Sequence, residues 1–306
     1  MSSTAGRERY GSGVQGSGGV GSTSGPGVVS SGRQDSGSIS GDSSISPPVA
    51  RISRARRLVR ELGPIVAAAL LFGAAWQAIV SVGNYPTYVL PDPLTVLRRF
   101  AQAWQAGTMG PHALTTLTEV LLGLLAGGTG GLVVGVVLAR SRLAERLLSP
   151  YIVAAQATPI LALAPIIFLW FGSGLGSRVL ICALIVFFPI AVATMVGIRS
   201  VDQRLLELGR SLRATRWQVL TRLEVPAALP QILGGMRIGV TLAVVGAIVG
   251  EWAGGDRGLG VLVNLARSSL FDTPLMFAAL MMIALIGVAL YVAVLLVERR
   301  LVGTWR

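Results

Sequence analysis

Six stretches with little or no charge dominate the sequence, and each is close to the length that crosses a bilayer. They cover residues 65–82, 114–139, 151–171, 179–198, 232–252 and 275–297. A helix needs about 20 apolar residues to cross a hydrocarbon core of about 30 Å. Because 52% of the residues are hydrophobic and only 13% are charged, a soluble fold is excluded. The sequence therefore predicts an all-α polytopic membrane protein with six transmembrane helices and both termini on the same side.

Arginines set the orientation of these spans, because basic residues concentrate in the short segments on the cytoplasmic side. They cluster before the first span, between the second and third, in residues 199–230, and after the sixth. The loops on the other side hold fewer arginines, and aspartates offset most of them. We therefore expect both termini to lie in the cytoplasm. This placement of arginines along membrane edges also explains the net charge of +12 without nucleic-acid binding.

The chain divides into four parts by composition. Residues 1–50 are rich in Gly and Ser and have almost nothing apolar to bury, which predicts a disordered cytoplasmic tail. Residues 51–64 form a basic juxtamembrane segment, 65–300 form the transmembrane domain, and 301–306 form a cytoplasmic C-terminus.

Catalytic and metal-binding patterns are missing from the sequence. Cys182 and His112 are each the only residue of their kind, so one chain can build neither a disulfide framework nor a Cys/His metal site. The sequence contains no lysine, so it has no phosphate-binding Gly-x4-Gly-Lys loop. We expect a protein that is not an enzyme and has no cofactor of its own.

The second span contains a ridge of small residues at four-residue spacing, formed by Gly123, Gly127, Gly131 and Gly135. Such a ridge lets a neighbouring helix approach closely. Static close packing is the favoured interpretation, and sliding during a transport cycle is the alternative.

A few residues in or beside the spans are candidates for a translocation pathway. Pro159 and Pro165 each remove a helical hydrogen bond, which predicts a kinked or broken third span, and Trp170 lies near its end. Glu119 lies inside the second span and Glu251 ends the fifth, where ionisable groups are costly in lipid. No carboxylate lies near the middle of a span, which argues against an ion-coupled carrier.

The loop after the first span contains a predicted interfacial amphipathic helix. Asp92 is placed as its N-cap and Pro93 as its first residue, and Leu97, Phe100 and Trp104 form one apolar stripe. A packing element is favoured over a ligand-binding role.

Residues 203–224 are too charged to cross a bilayer, and they predict a pair of short helices between two spans. One face of the first helix is apolar, formed by Leu205, Leu208 and Leu212. Thr215 caps the second helix in a capping box with Gln218, and Pro226 is expected to stop it. A protein-docking surface and a lid packed over the helix ends remain equally open on these grounds.

This segment resembles the signature of the permease subunits of ATP-binding-cassette (ABC) importers, which is Glu-Ala-Ala, three residues, Gly, nine residues, then Ile-x-Leu-Pro. Glu207-Leu208-Gly209 matches the first triplet, Arg213 stands at the glycine position, and Leu223-Glu224-Val225-Pro226 closes the signature. The stretches "VLPDPLTVL", "ATPILALAPIIFLWFGSG" and "GDRGLGVLV" resemble the branch that imports nitrate, alkanesulfonates, taurine and vitamin precursors. The resemblance spans residues 85–265.

The resemblance implies a type I ABC importer permease of a bacterial-type inner membrane. It implies a homodimer with one pathway, a cytoplasmic ATPase dimer that binds ATP and Mg, an extracytoplasmic substrate-binding protein, and contact with membrane lipid. The residues it assigns to ATPase coupling are Glu207, Leu208, Gly209, Arg210, Arg213, Ala214, Trp217 and Pro226. The alternative from another class is an ATP-independent channel or secondary carrier.

Two departures from the family pattern bear on mechanism. Arginine at position 213 is strained at positive φ where glycine is not, so the turn between the coupling helices is expected to differ. The family tends to carry a basic residue at the position of Glu119, and an acid there disfavours an anion passing nearby. This favours a neutral or cationic substrate, such as a vitamin precursor.

Overall fold

The computed structural model describes residues 54–303, with side chains from 67 to 301. The predicted tail and residues 304–306 lie outside this range. The described chain is helical throughout, apart from turns and loops, and includes one π-helical turn, Leu220–Glu224. Its α-helices are α1 (Arg54–Gly83), α2 (Pro93–Gln105), α3 (Met109–Arg140), α4 (Arg142–Ala157), α5 (Ile160–Phe171), α6 (Leu175–Arg199), α7 (Gln203–Ser211), α8 (Arg216–Val219), α9 (Val225–Gly254), α10 (Leu259–Ser268) and α11 (Thr273–Gly303).

Within the described residues, the helices that are long and apolar enough to span a membrane confirm the helical membrane fold. Four qualify alone: α3, α6, the α8–α9 segment and α11. The third predicted span is the pair α4 and α5, which meet at 97° and make a fifth span if they are counted as one. The first predicted span lies in α1, whose apolar part with described side chains, Ala67–Gly83, is shorter.

Helices α3, α6 and α9 form the packed centre of the bundle. All glycines of the α3 ridge are buried, and a Cβ at Gly127 would meet the carbonyl oxygen of Ala183 on α6 and lie 2.9 Å from its Cα. A Cβ at Gly131 would lie 2.7 Å from the carbonyl oxygen of Phe187. The two backbones therefore touch along the ridge, as close packing requires.

The break in the third span occurs at Pro159, as predicted, whereas Pro165 does not interrupt α5. Thr158 is extended (φ −77°, ψ 124°) and Pro159 is the N-cap of α5, because proline disfavours helical backbone in the residue before it. At Pro165 the helix continues, since the neighbouring residues Ala164 and Ile167 are buried against α6. The prediction of a kinked or broken third span is therefore confirmed, and the break lies at Pro159.

Helix α2 has the predicted start, and its buried residues lie outside the predicted stripe. The Asp92 carboxylate accepts hydrogen bonds from the Thr95 amide at 2.9 Å and the Thr95 hydroxyl at 2.6 Å. Val96 and Ala103 are buried against the cluster of α10 and α11, whereas Leu97 and Trp104 of the predicted stripe are about half exposed. In a membrane protein an apolar stripe can face lipid as well as the core, so the exposure of Leu97 and Trp104 is compatible with the predicted interfacial helix.

Candidate coupling and translocation sites

The segment between α6 and α9 forms two short helices, α7 and α8, that carry their own caps. The Asp202 side chain caps α7 by accepting from the Arg204 amide at 2.9 Å. Thr215 and Gln218 form the predicted capping box, with the Thr215 amide donating to Gln218 Oε1 at 2.8 Å and the Gln218 amide to Thr215 Oγ1 at 3.3 Å. Local sequence signals therefore determine where α7 and α8 begin.

Pro226 does not stop the second helix, so that prediction was wrong. The chain passes from α8 through the π turn Leu220–Glu224 into α9, and Pro226 lies in the first turn of α9. Proline is tolerated in a first turn, where its missing N–H has no helical partner to lose. Residues Arg216–Gly254 therefore form one helical segment of 39 residues that joins the start of α8 to the end of the fifth predicted span.

Arg213 adopts the left-handed conformation that the glycine of the family signature would favour. Its φ is +53°, and it links α7 to α8. The turn is closed by hydrogen bonds from the Arg213 amide to the Arg210 carbonyl (2.9 Å) and from the Ala214 amide to the Gly209 carbonyl (3.0 Å). The backbone thus keeps a turn suited to glycine and places an arginine in it.

The exposed side of α7 and α8 combines apolar and charged side chains. Leu208, Leu212 and Trp217 are 55%, 74% and 71% exposed. Charged residues predicted for coupling, Glu207, Arg210 and Arg213, are exposed on the same segment. Gly209 is buried instead, where a Cβ would lie 2.9 Å from Leu223 Cδ1. Ala214 and Pro226 are half-buried. We call this exposed set of apolar and charged side chains on α7 and α8 the coupling surface.

Ion pairs that the sequence did not reveal connect this region to the spans. Arg140, at the end of α3, donates to Glu224 Oε2 from Nε (3.1 Å) and Nη2 (2.8 Å), and Nη2 also reaches the Arg216 carbonyl at 3.1 Å. Arg199, at the end of α6, pairs with both carboxylate oxygens of Glu145 on α4. The ends of α3 and α6 are therefore joined to the neighbouring segments by charged hydrogen bonds.

The opposite end of the bundle contains a buried polar cluster. Glu119 of α3, Arg178 of α6 and Glu251 of α9 are 0%, 6% and 2% exposed, and Arg178 Nη1 lies 3.1 Å from Glu119 Oε1. Glu251 accepts from the Thr116 hydroxyl and from the Gly260 amide, each at 2.5 Å. The cluster therefore joins α3, α6 and α9 and the start of α10.

The loop between α9 and α10 is also held by this cluster. Arg178 donates to the carbonyl of Arg257 at 2.9 Å and lies 3.3 Å from Asp256. The Leu259 amide donates to Thr116 Oγ1 at 2.8 Å. Since the first turn of a helix has free amides, Thr116 and Glu251 cap α10 from two other helices.

A cavity of about 660 Å³ lies between α4, α6, α9 and α11. Its polar lining residues include Gln156, Gln231 and Thr241. The charged residue in its wall, Arg237, lies 3.3 Å from Glu298 of α11. The cavity therefore offers hydrogen-bonding groups and a cation that already has a carboxylate partner.

The pathway candidates from the sequence occupy two separate places. Glu119 and Glu251 belong to the buried polar cluster, whereas Pro159, Pro165 and Trp170 are exposed on α5 and at its N-cap. None of these five residues lines the cavity. Among the described residues there is also no group of three or more His, Cys, Asp and Glu side chains that could hold a metal ion.

Comparison with known proteins identifies close relatives along most of the chain. Residues 131–303 match the family described as "Binding-protein-dependent transport system inner membrane component". The riboflavin transport system permease protein RibX of Chloroflexus aurantiacus is 46% identical over 260 residues, covering 83% of this chain and 96% of that protein. The formylaminopyrimidine transport permease protein ThiX of Halalkalibacterium halodurans is 35% identical, covering 78% and 93%.

More distant similarity supports the same fold. The putative aliphatic sulfonates transport permease protein SsuC of Bacillus subtilis is 34% identical, covering 76% of this chain and 84% of that protein. A solved structure of the MetNI methionine ABC transporter in an inward-facing conformation matches with a TM-score of 0.57 at 20% identity, covering 62% of this chain and 94% of the matched one. At this identity the structural match speaks for the fold alone.

Proposed function

Because the chain belongs to the family of binding-protein-dependent transport system inner membrane components, the permease subunits of ABC importers, we propose that two copies of it form one translocation pathway that separate ATPase subunits drive. The chain itself carries out no chemistry in this proposal. ATP and Mg are bound by the cytoplasmic ATPase dimer, and an extracytoplasmic substrate-binding protein delivers the solute. The protein lies in a bacterial-type inner membrane, in contact with lipid and with both termini in the cytoplasm.

The coupling surface is the proposed docking site for the ATPase. Leu208, Leu212 and Trp217 are exposed at an end of the bundle rich in arginine, and interface centres favour large apolar and aromatic side chains ringed by polar ones. Glu207 and Arg210 supply the charged rim. This exposed apolar and charged surface on a segment continuous with a span is the observation that carries the proposal.

The proposed substrate is an uncharged solute rich in hydrogen-bonding groups, of the vitamin or vitamin-precursor class, rather than an alkanesulfonate, taurine or nitrate. Two relatives, at 46% and 35% identity, are named as riboflavin and formylaminopyrimidine permeases. The cavity agrees with such a solute, since Arg237 already faces Glu298 and no unpaired cation remains for an anion among its described lining residues. The negative charge expected at Glu119 is not a separate argument against an anionic substrate, because Glu119 pairs with Arg178 away from the cavity.

The pathway is proposed to form where two copies meet. Pro159, Pro165 and Trp170 lie on an exposed surface at the bend between α4 and α5, where a second copy can reach them. Broken helices often border transport pathways because their free backbone groups can face a polar solute. Glu119 and Glu251 then act at the end of the pathway where the α9–α10 loop lies.

Purification of the tagged full-length chain from its native membrane in mild detergent tests this function. We expect an ATPase with a phosphate-binding loop to co-purify in near-stoichiometric amount, as identified by mass spectrometry, and to be lost with Glu207→Arg. Arg267→Glu, an exposed charge reversal at the opposite end of the bundle, is the matched control and should retain the ATPase. Absence of any ATPase from the wild-type sample, with solute uptake that persists without ATP, would instead establish the ATP-independent carrier.

A further inference from the structure

The buried polar cluster contains more acidic groups than basic ones. Glu119, Glu251 and Arg178 are all at least nine-tenths buried, and they comprise two carboxyl groups and one guanidinium. If both carboxyl groups were ionised, the trio would bury one net negative charge. An uncompensated charge in a protein interior is costly, and it is removed most simply by taking up a proton.

The two carboxyl groups of the trio also differ in the hydrogen bonds that they accept. Glu251 accepts two, from Thr116 and from the Gly260 amide, whereas neither oxygen of Glu119 receives one. Its contact with Arg178 Nη1 is an ion-pair distance of 3.1 Å. The carboxyl groups of Glu119 and Glu251 are close enough to repel each other when both are ionised. Two ionised carboxylates only accept hydrogen bonds, so such a pair needs a proton on one of them.

We propose that Glu119 and Glu251 form a proton-binding site in which Glu119 carries the proton and donates it in a hydrogen bond to Glu251. One proton from solvent makes the trio electrically neutral: Glu119 is uncharged, Glu251 is negative and Arg178 is positive. The carbonyl oxygen of Glu119 can still face Arg178. Glu251 stays ionised because it already accepts two donors, and these stabilise its charged form.

The ionisable groups around the trio do not change its net charge. Asp256 lies 3.3 Å from Arg178, but its side chain is 77% exposed, so water screens its charge. Arg257 contributes its backbone carbonyl, and its side chain is on an exposed residue. His112 of α3 bonds to the backbone of Gly258, and Cys182 of α6 is a buried thiol. Among the described residues, the cation that pairs with a carboxyl group of the trio is Arg178.

Infrared spectroscopy of the full-length chain in detergent tests the proposal directly. Exposed carboxyl groups are ionised at pH 7 and have no C=O stretch of a protonated acid. The C=O band of a buried protonated carboxyl should therefore be resolved from the carboxylate bands. We expect this band in the wild type and in Glu145→Gln, the matched control on α4, and its loss in Glu119→Gln. Absence of the band from the wild type would overturn the proposal, and its persistence in Glu119→Gln would overturn the assignment to Glu119.

Thermal unfolding of two isosteric variants gives an independent test. Glu119→Gln keeps the trio neutral and keeps a donor toward Glu251, so its melting temperature should stay within about 2 °C of the wild type. Glu251→Gln places an amide against the Gly260 N–H and weakens the cap of α10, so it should melt at least about 4 °C lower. The reverse order would show that Glu119 is the ionised partner of Arg178 and would refute the proposal.

Discussion

Replacement of Arg213 by glycine should stabilise the turn between α7 and α8. Arg213 holds φ at +53°, and a left-handed backbone costs an ordinary L-residue about 1–2 kcal/mol. Glycine avoids this cost, but its greater freedom in the unfolded chain takes back about 0.4–1 kcal/mol. The net gain is about 0.5–1 kcal/mol, which corresponds to a roughly two- to fivefold smaller equilibrium constant for local opening of the turn.

Hydrogen exchange measured by mass spectrometry on the full-length chain is the assay. The informative amides are those of Leu212, Arg213 and Ala214, which donate to the Leu208, Arg210 and Gly209 carbonyls. Their protection factors should rise about two- to fivefold in Arg213→Gly.

The matched control for this prediction is Arg210→Gly, which makes the same change one turn earlier. Arg210 lies inside α7, where glycine is about 0.8–1 kcal/mol worse than a good helix former. Protection of the same amides should therefore fall in the control. If both variants lose protection, the strain assigned to Arg213 is refuted.

Three further predictions test packing, capping and the connection to α3. Gly127→Ala should cost about 1–3 kcal/mol in thermal unfolding because its Cβ meets backbone, whereas Gly73→Ala, with no atom within 4 Å, should not destabilise. Asp92→Ala should lose about 1 kcal/mol of α2 protection in hydrogen exchange. In the wild type, the hydrogen bonds from Thr95 hold the pKa of the Asp92 carboxyl below 3.8. The cap should therefore persist above pH 3.8 and weaken as the pH falls further and the carboxyl is protonated. Arg140→Ala should cost about 1–3 kcal/mol in thermal unfolding by leaving Glu224 unpaired, and adding Glu224→Gln should recover part of this loss; no recovery would contradict a direct pair.

Features that depend on neighbours in the chain could be predicted from the sequence. Asp92 and Thr215 lie next to the helices that they cap, so capping rules identified both. The signature spacing placed Arg213 at a glycine position, where we expected the turn to differ, but Arg213 holds a left-handed backbone (φ +53°) that suits glycine. Apolar length is a local property too, and it predicted the four described helices that are long enough to span a membrane alone.

Features that depend on distant residues could not be predicted. Arg178 is 59 positions from Glu119, and Arg140 is 84 positions from Glu224, and a single sequence does not show how helices rotate against each other. Pro226 was misjudged because the same residue can end one helix or lie in the first turn of the next. The stripe of Leu97, Phe100 and Trp104 likewise did not show which face of α2 is buried, because both lipid and core accept an apolar stripe.

The continuous helix Arg216–Gly254 can act as a lever, because a movement at one of its ends can be transmitted to the other. Its 39 residues span about 58 Å at 1.5 Å per residue, and an α-helix resists shortening because every turn is hydrogen-bonded. Glu251 lies near one end of this lever and Trp217 near the other. A tilt imposed at Trp217 would therefore displace Glu251 and the cap of α10, unless the helix bends at the π turn Leu220–Glu224.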